Sequence, residues 1–290
     1  MINKTEKYKT GFIGAGKIAH SLVPAVIKSG LKVVSISSKK LHSAKQLAVK
    51  NKVPYFSNNA GDVLERCNLI FISVPDSCIE TVAKEISRLP GLKGKLFVHL
   101  SGTKNIHALA SLKKKGADTA GFHLMQTFPE RKPVNMAGSY ASIETEKRIT
   151  AQFLKSFALK IGAIPFTVKS EEKILLHIMC VFASNFINAD YYNASLLYKK
   201  IKGKLPPIEK LLYPLSNENL KNIHMKGIQK SLSGPIARKD FDSVDNHLEK
   251  LTSLSKKDKS IENVLETYAI QTLNILYMTR NRIDGSKKRK

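Results

Sequence analysis

The stretch Thr10-Gly11-Phe12-Ile13-Gly14-Ala15-Gly16-Lys17-Ile18-Ala19 decides the fold. A short apolar run, Thr10–Ile13, leads directly into a G-x-G-x-x-A sequence, and Lys17–Ser29 then reads as a helix. A strand, a glycine turn and a helix in that order near the start of a chain form the fingerprint of a dinucleotide-phosphate loop. Gly14 permits the tight turn. Gly16, with no side chain, lets a pyrophosphate reach the backbone, and Ala19 lets helix and strand pack closely. Ala15, Lys17 and Ile18 complete the loop, and the helix start offers free N–H donors and the positive end of its dipole. The competing reading is an ordinary strand-turn-helix corner that uses its glycines for geometry alone.

The sequence beyond the loop extends the pattern. Apolar runs at Val33–Ser37, Leu69–Val74, Leu96–Leu100 and Thr119–Phe122 predict further strands. Helical stretches at Leu41–Asn51, Ile79–Leu89 and Ile106–Lys115 lie between them. Strands alternating with helices of this length predict a doubly wound parallel sheet, an α/β Rossmann domain, covered on both faces. Thr145–Lys160 and the short strand Ile164–Val168 form a junction. Past about residue 165 the texture turns helical: Glu171–Lys200, Ile208–Lys230, Phe241–Leu254 and Ile261–Thr279, punctuated by Pro206-Pro207 and Ser233-Gly234-Pro235. The expected organisation is a Rossmann domain over 1–165, an all-helical domain over 166–283 and a basic tail over 284–290.

The end of the second strand selects the cofactor. An acidic residue there would hold the ribose diol of NAD. The chain instead reads Ser35-Ile36-Ser37-Ser38-Lys39-Lys40. Ser37, Ser38, Lys39 and Lys40 suit a 2′-phosphate, so NADP(H) is the expected cofactor. Val74-Pro75-Asp76, closing a later strand, is expected to lie along it.

The 290 residues are 42% hydrophobic and 24% charged, enough apolar content for real cores. The N-terminal residues carry no apolar signal core, no apolar run approaches a membrane span, and three cysteines fit a reducing compartment. A cytoplasmic protein without membrane partners is expected. The net charge of +25 is spread over the chain as lysine. It lacks the arginines and interleaved aromatics of base readout, so nucleic acid is not the expected partner. The histidines show no metal-ligand spacing, and no metal site is expected.

Four further motifs carry a family resemblance: Val98-His99-Leu100-Ser101-Gly102-Thr103, Phe122-His123-Leu124-Met125-Gln126-Thr127-Phe128-Pro129, Ala183-Ser184-Asn185-Phe186, and Leu232-Ser233-Gly234-Pro235-Ile236-Ala237-Arg238. With the glycine loop, they make residues 8 to 255 resemble an uncharacterised bacterial family. That family joins a Rossmann-like NADP-binding domain to a helical domain of unknown function. The first half also resembles pyrroline-5-carboxylate reductases and deazaflavin-dependent NADP oxidoreductases, and the whole is similar in outline to 6-phosphogluconate dehydrogenase. This chain has Leu124 where the family commonly has proline, Ser233 where it has threonine, and Lys239 where it has glycine. The resemblance implies an oxidoreductase of a small carbonyl, imine or hydroxy compound. It also implies pairing of two subunits through the helical domain, which the apolar stretches Leu175–Ile187 and Val264–Leu276 suit. A non-catalytic NADP(H) sensor is the first alternative, and a nucleic-acid or membrane-surface protein driven by the net charge is the second.

Such a reductase needs a proton donor beside the cofactor. Ser101 and His123 follow the ends of two strands, on the cofactor side of the sheet. On the first long helix Lys173, His177 and Ser184, at offsets of four and seven, share a face, with Asn185 beside it. Lys173 is expected to orient a small anion or carbonyl oxygen of the substrate, His177 or His123 to donate the proton, and Ser184 and Asn185 to fix the substrate's other end.

Overall fold

The computed structural model describes residues 8–287, with side chains as far as Arg280. It divides into two compact units, Met1–Ser184 and Asn185–Lys290. The first contains β1 (Lys9–Ile13), α1 (Lys17–Lys28), β2 (Lys32–Ser37), α2 (Leu41–Lys50), β3 (Tyr55–Ser57), α3 (Gly61–Arg66), β4 (Leu69–Ile72), α4 (Ile79–Ile86), β5 (Leu96–His99), α5 (Ala110–Lys113), β6 (Asp118–Leu124), β7 (Tyr140–Glu144), α6 (Arg148–Lys160), β8 (Ile164–Thr167) and α7 (Lys173–Phe182). The second contains α8 (Asn185–Tyr198), α9 (Ile208–Lys226), α10 (Ile228–Ser231), α11 (Pro235–Arg238), α12 (Phe241–Ser255) and α13 (Glu262–Lys287).

The eight strands form one sheet in the order β3-β2-β1-β4-β5-β6-β7-β8. All neighbours are parallel except β6 and β7, which are antiparallel. This is the α/β architecture expected from the sequence, extended by β7 and β8. The strand order reverses at β1 and β4, and the crevice beyond their C-terminal ends is where a doubly wound sheet binds its ligand. Both faces are covered. On one, Phe12 stacks on Phe71 at 5.1 Å, and Phe157 of α6 lies against Phe71 and Phe122 at 5.8 and 5.4 Å. Ring pairs of this kind add about 0.5–1.5 kcal/mol each beyond the area they bury. On the other face Ile70, Ile72 and Phe97 meet Leu64 of α3, Ile79 and Ala83 of α4, and Leu112 of α5.

Four sequence expectations change. The single helix expected over Glu171–Lys200 is two helices, with a turn at Ala183 and Ser184. No glycine or proline marks the break. The compact units part there, so β8 and α7 go with the sheet rather than with the helical half, later than the division read at 165/166. The basic tail expected from 284 is helical through Lys287 as the end of α13, and residues 288–290 lie outside the described residues. Finally, Lys173–Tyr198 is long and apolar enough to cross a membrane, with a mean hydropathy of 1.3, contrary to the expectation that no run approaches a span. Its Lys173 is nevertheless buried against the sheet at 1% exposure, and the segment breaks in its middle.

The helical unit has a small core in which Leu251, Ile261 and Val264 are buried, with Leu196, Leu197, Leu254, Leu265 and Tyr268 packed around them.

Candidate functional site

The glycine loop lies between β1 and α1. Gly14 has φ +109°, and a Cβ on it would stand 2.5 Å from the carbonyl oxygen of Ser73. Only glycine fits this turn, which is pinned by Gly14 N donating to the Ser37 carbonyl (2.7 Å) and Ser73 Oγ donating to the Gly14 carbonyl (2.8 Å). Gly16 is different. It is the N-cap of α1, and a Cβ there would meet only the Ser73 carbonyl oxygen, at 3.5 Å. Nothing within the fold requires glycine at 16. The cap supplies no side-chain hydrogen bond, so the first N–H groups of α1 face outward from an uncapped helix start. A bare backbone, an uncapped α1 and a close approach left open together fit a phosphate group.

Ala15 is buried, Ile18 partly buried and Lys17 exposed. At the end of β2, Ser37 is buried at 2% exposure, while Ser38 is half-buried and Lys39 and Lys40 are exposed, with Lys40 capping α2. Ser38, Lys39 and Lys40 are therefore the accessible members of the expected 2′-phosphate set. Val74 and Asp76 are half-buried and Pro75 is exposed.

Ser101 is committed elsewhere. Its hydroxyl donates to Asp76 Oδ2 (2.6 Å) and accepts from Thr103 N (3.1 Å) and Lys104 N (2.9 Å). Thr103 Oγ1 donates to the same Asp76 oxygen at 2.6 Å. These bonds use the one hydroxyl proton and both lone pairs of Ser101. They tie the loop after β4 to the loop after β5, which makes Ser101 a loop fastener rather than a free substrate ligand.

The expected donors do come together. His99, Gly121 and Glu144 lie abreast on β5, β6 and β7, since His99 pairs with Gly121 and Gly121 with Glu144. Residues abreast in a sheet share a face, and His123, two positions beyond Gly121, shares it too. Gly121 leaves a gap in this row. A Cβ on it would stand 2.6 Å from Lys173 Nζ, 3.1 Å from Glu144 Oε2 and 3.1 Å from His99 Nε2. Lys173 enters the gap from α7 and donates to Glu144 Oε2 at 3.1 Å, the pair being 1% and 3% exposed. Burial lowers the Lys173 pKa, and the Glu144 carboxylate works against that fall. Glu144 was not among the residues the sequence singled out.

One helical turn on from Lys173, His177 meets His123 with ring centroids 6.2 Å apart, edge to face. Gly102 lies between them: a Cβ on it would stand 2.7 Å from His177 Nδ1 and 2.8 Å from His123 Nε2. Nδ1 of both rings is buried without a hydrogen-bond partner among the described residues, as is Nε2 of His99. Burial, with help from Lys173 and His177, pushes His123 down to about 4, and burial and Lys173 push His99 well below the usual histidine value. His99 and His123 are thus neutral at physiological pH. Leu124 prolongs β6 and is buried at 1% exposure opposite Ala141, and the His123 ring still faces His177.

Ser184 does not extend this face. It lies in the turn after α7, and its hydroxyl donates to the Cys180 carbonyl at 2.6 Å. Asn185 opens α8 in the second unit and is exposed.

Comparison with known proteins bears on the fold. Residues 2–123 match the family described as a Rossmann-like domain, and residues 139–274 match a domain of unknown function (DUF2520). The chain thus joins these two domains in the order its motifs suggested. It is similar in structure to a Bacteroides fragilis protein described as a candidate NADP oxidoreductase, with 24% identity, 94% of this chain and 99% of that one covered, and a TM-score of 0.76. A Thermotoga maritima protein matches at 23% identity over 93% of this chain and 99% of that one, with a TM-score of 0.68. The Plasmodium falciparum pyrroline carboxylate reductase with NADP bound matches at 14% identity, covering 94% and 99%, with a TM-score of 0.58. At these identities the likeness establishes a shared fold.

Proposed function

We propose that this protein is an NADP(H)-dependent oxidoreductase acting on a small carbonyl, imine or hydroxy compound, with the reacting heteroatom held over Gly102 between His123 and His177. The observation that carries this reading is the convergence of the two rings on Gly102, where His177 Nδ1 is buried without a partner among the described residues. An unsatisfied buried polar atom costs about 1–3 kcal/mol, and such a cost is tolerated where a ligand completes the bonding. The bound cofactor supplies the hydride. The chain's residues hold the substrate heteroatom and manage its proton. His123, neutral at pH 7, serves as a hydrogen-bond partner rather than a cationic acid, which leaves His177 as the proton carrier. Lys173, spent on Glu144, does not reach a substrate with its ammonium group, so its role is to build the site. The surface charge would concentrate an anionic substrate.

NADP is the proposed cofactor, on the strength of Ser38, Lys39 and Lys40. Two charge-assisted contacts amount to about 2–3 kcal/mol, a preference of roughly 30- to 150-fold over NAD(H). Titration calorimetry with NADPH and NADH tests this, together with NADPH absorbance against a panel of carbonyls and imines. Wild type binds NADPH and turns over at least one class, Gly16→Val folds but does not bind, and His177→Ala binds without turnover. Equal affinity for the two cofactors removes the NADP assignment. Normal binding by Gly16→Val removes the loop assignment.

We further propose a homodimer in the cytoplasm. The three free cysteines support the compartment. On α7, Ile174, Leu175, Ile178, Met179 and Phe182 are 44–64% exposed, and in the helical unit Leu215, Met225, Leu273 and Tyr277 are 56–71% exposed. Apolar exposure of this extent marks a surface covered by a partner, and a second copy of the chain is the partner that supplies a matching apolar face.

A further inference from the structure

Glu144 is a carboxylate at 3% exposure, and each of its partners comes from a different segment. Oε1 accepts from Ile106 N at 3.0 Å, in the turn after β5, and from Ser170 Oγ, in the loop before α7. Oε2 accepts from Lys173 Nζ, on α7 itself. A buried ion pair gains little net stability, because desolvating both charges offsets their attraction. What such a pair can fix is register. Lys173 can reach Glu144 only through the gap at Gly121, and His177 follows one turn later on the same helix. Seating Lys173 therefore decides where His177 stands relative to His123.

The groups facing His123 are Lys173 and His177 from α7, Asp76 from the loop after β4 and His99 from β5. Lys173 acts on His123 and His99 as a nearby cation, and Glu144 is the charge that balances it.

We propose that Glu144 is a positioning residue for the His123–His177 pair: by seating and neutralising Lys173 in the Gly121 gap, it sets both the register of α7 and the field at His123. This rests on the reading of the two histidines as the proton-handling pair. The test uses their titration and their contact, so it can fail or succeed whether or not turnover is ever seen.

The experiment follows the histidine ring protons by NMR from pH 3.5 to 8 in the wild type, Lys173→Met, Glu144→Gln and the double variant, with His123→Gln and His177→Gln giving the assignments. In Lys173→Met a cation beside His123 is gone, and the His123 midpoint rises from about 4 by about one pH unit. In Glu144→Gln the ammonium is unbalanced, and the midpoint stays where it was or falls. A purely structural loosening of α7 exposes His123 in both variants and moves both midpoints upward, which overturns the proposal. Should Glu144→Gln not fold, the double variant replaces it, because a buried pair exchanged for neutral groups commonly keeps the fold. For the double variant the deciding measurement is the contact between the two rings. The second readout is the ring-to-ring cross-relaxation of His123 and His177, centroids 6.2 Å apart in the native chain. It weakens several-fold in the double variant if Glu144 and Lys173 set the register. If it is retained in full, the positioning role is wrong.

Discussion

The Lys173 ammonium occupies the place that Gly121 leaves empty, 2.6 Å from where a Cβ on that glycine would stand. The sheet has a socket at this point, and α7 a plug. The fit requires a missing side chain on one element and a long charged one on the other, 52 residues apart in the chain.

Filling the socket tests the fit. Gly121→Ala puts a methyl group against Lys173 Nζ and within 3.1 Å of Glu144 Oε2 and His99 Nε2. Overpacking of this kind costs about 1–3 kcal/mol. Urea denaturation should show a lowered midpoint, and Gly30→Ala, whose Cβ would meet nothing within 4 Å, should lose less at its exposed turn despite a φ of +88°. Equal losses would mean that the gap is not tightly filled.

Acid should destabilise the fold through its histidines. His123 falls from an ordinary 6.5 to about 4 in the folded chain, and His99 and His20 move in the same direction, each chiefly through burial. A histidine depressed in the folded state leaves the unfolded chain holding more protons between the two values. Its contribution is therefore complete above about pH 6.5 and is lost as pH falls toward 4. For His123 alone that is at most about 3 kcal/mol. Thermal melts from pH 7.5 to 4.5 should show a falling Tm, with a shallower fall in His123→Gln. Parallel curves for the two proteins would contradict this.

Lys239 caps the C-terminus of α11 with φ 62°, in the left-handed region. The family resemblance implies glycine at this position. The structure supplies the reason, since glycine enters that region without the steric cost borne by a residue with a Cβ. Lys239→Gly should gain about 0.5–1 kcal/mol, net of the added freedom of the unfolded chain. Denaturation followed by circular dichroism should show a raised midpoint. An unchanged or lowered one refutes the strain.

The exposed side of α7 predicts the oligomeric state. Light scattering at micromolar concentration should return about twice the 32.2 kDa chain mass. Leu175→Glu with Met179→Glu should halve it without unfolding the sheet. A wild-type mass of one chain would rule out the dimer.

The sheet was legible because its central strands are apolar on consecutive residues and its loop has a distinctive glycine pattern. β1, β2, β4, β5 and β6 all fall where their runs predicted. β3 was not legible: Tyr55-Phe56-Ser57 is a three-residue edge strand and too short to show a period. β7 was missed because Tyr-Ala-Ser-Ile-Glu ends in a charge that reads as surface, although Glu144 is buried. Its burial depends on a lysine on α7, which no local pattern reveals. The histidine pair was half legible. The spacing of Lys173 and His177 gave their shared face, but only the fold shows that the lysine points at Glu144 and not at a substrate. The break at Ala183 and Ser184 has no sequence marker, because neither residue disfavours a helix strongly.

The two glycines of the first loop answer to different masters. Gly14 is demanded by the chain's own backbone, whereas nothing in the described fold demands glycine at 16. A descendant that lost its ligand could replace Gly16 freely and keep its architecture, while Gly14 would have to stay. Under the proposed function, position 16 is therefore a fossil marker, where a side chain would be compatible with the architecture but not with the nucleotide.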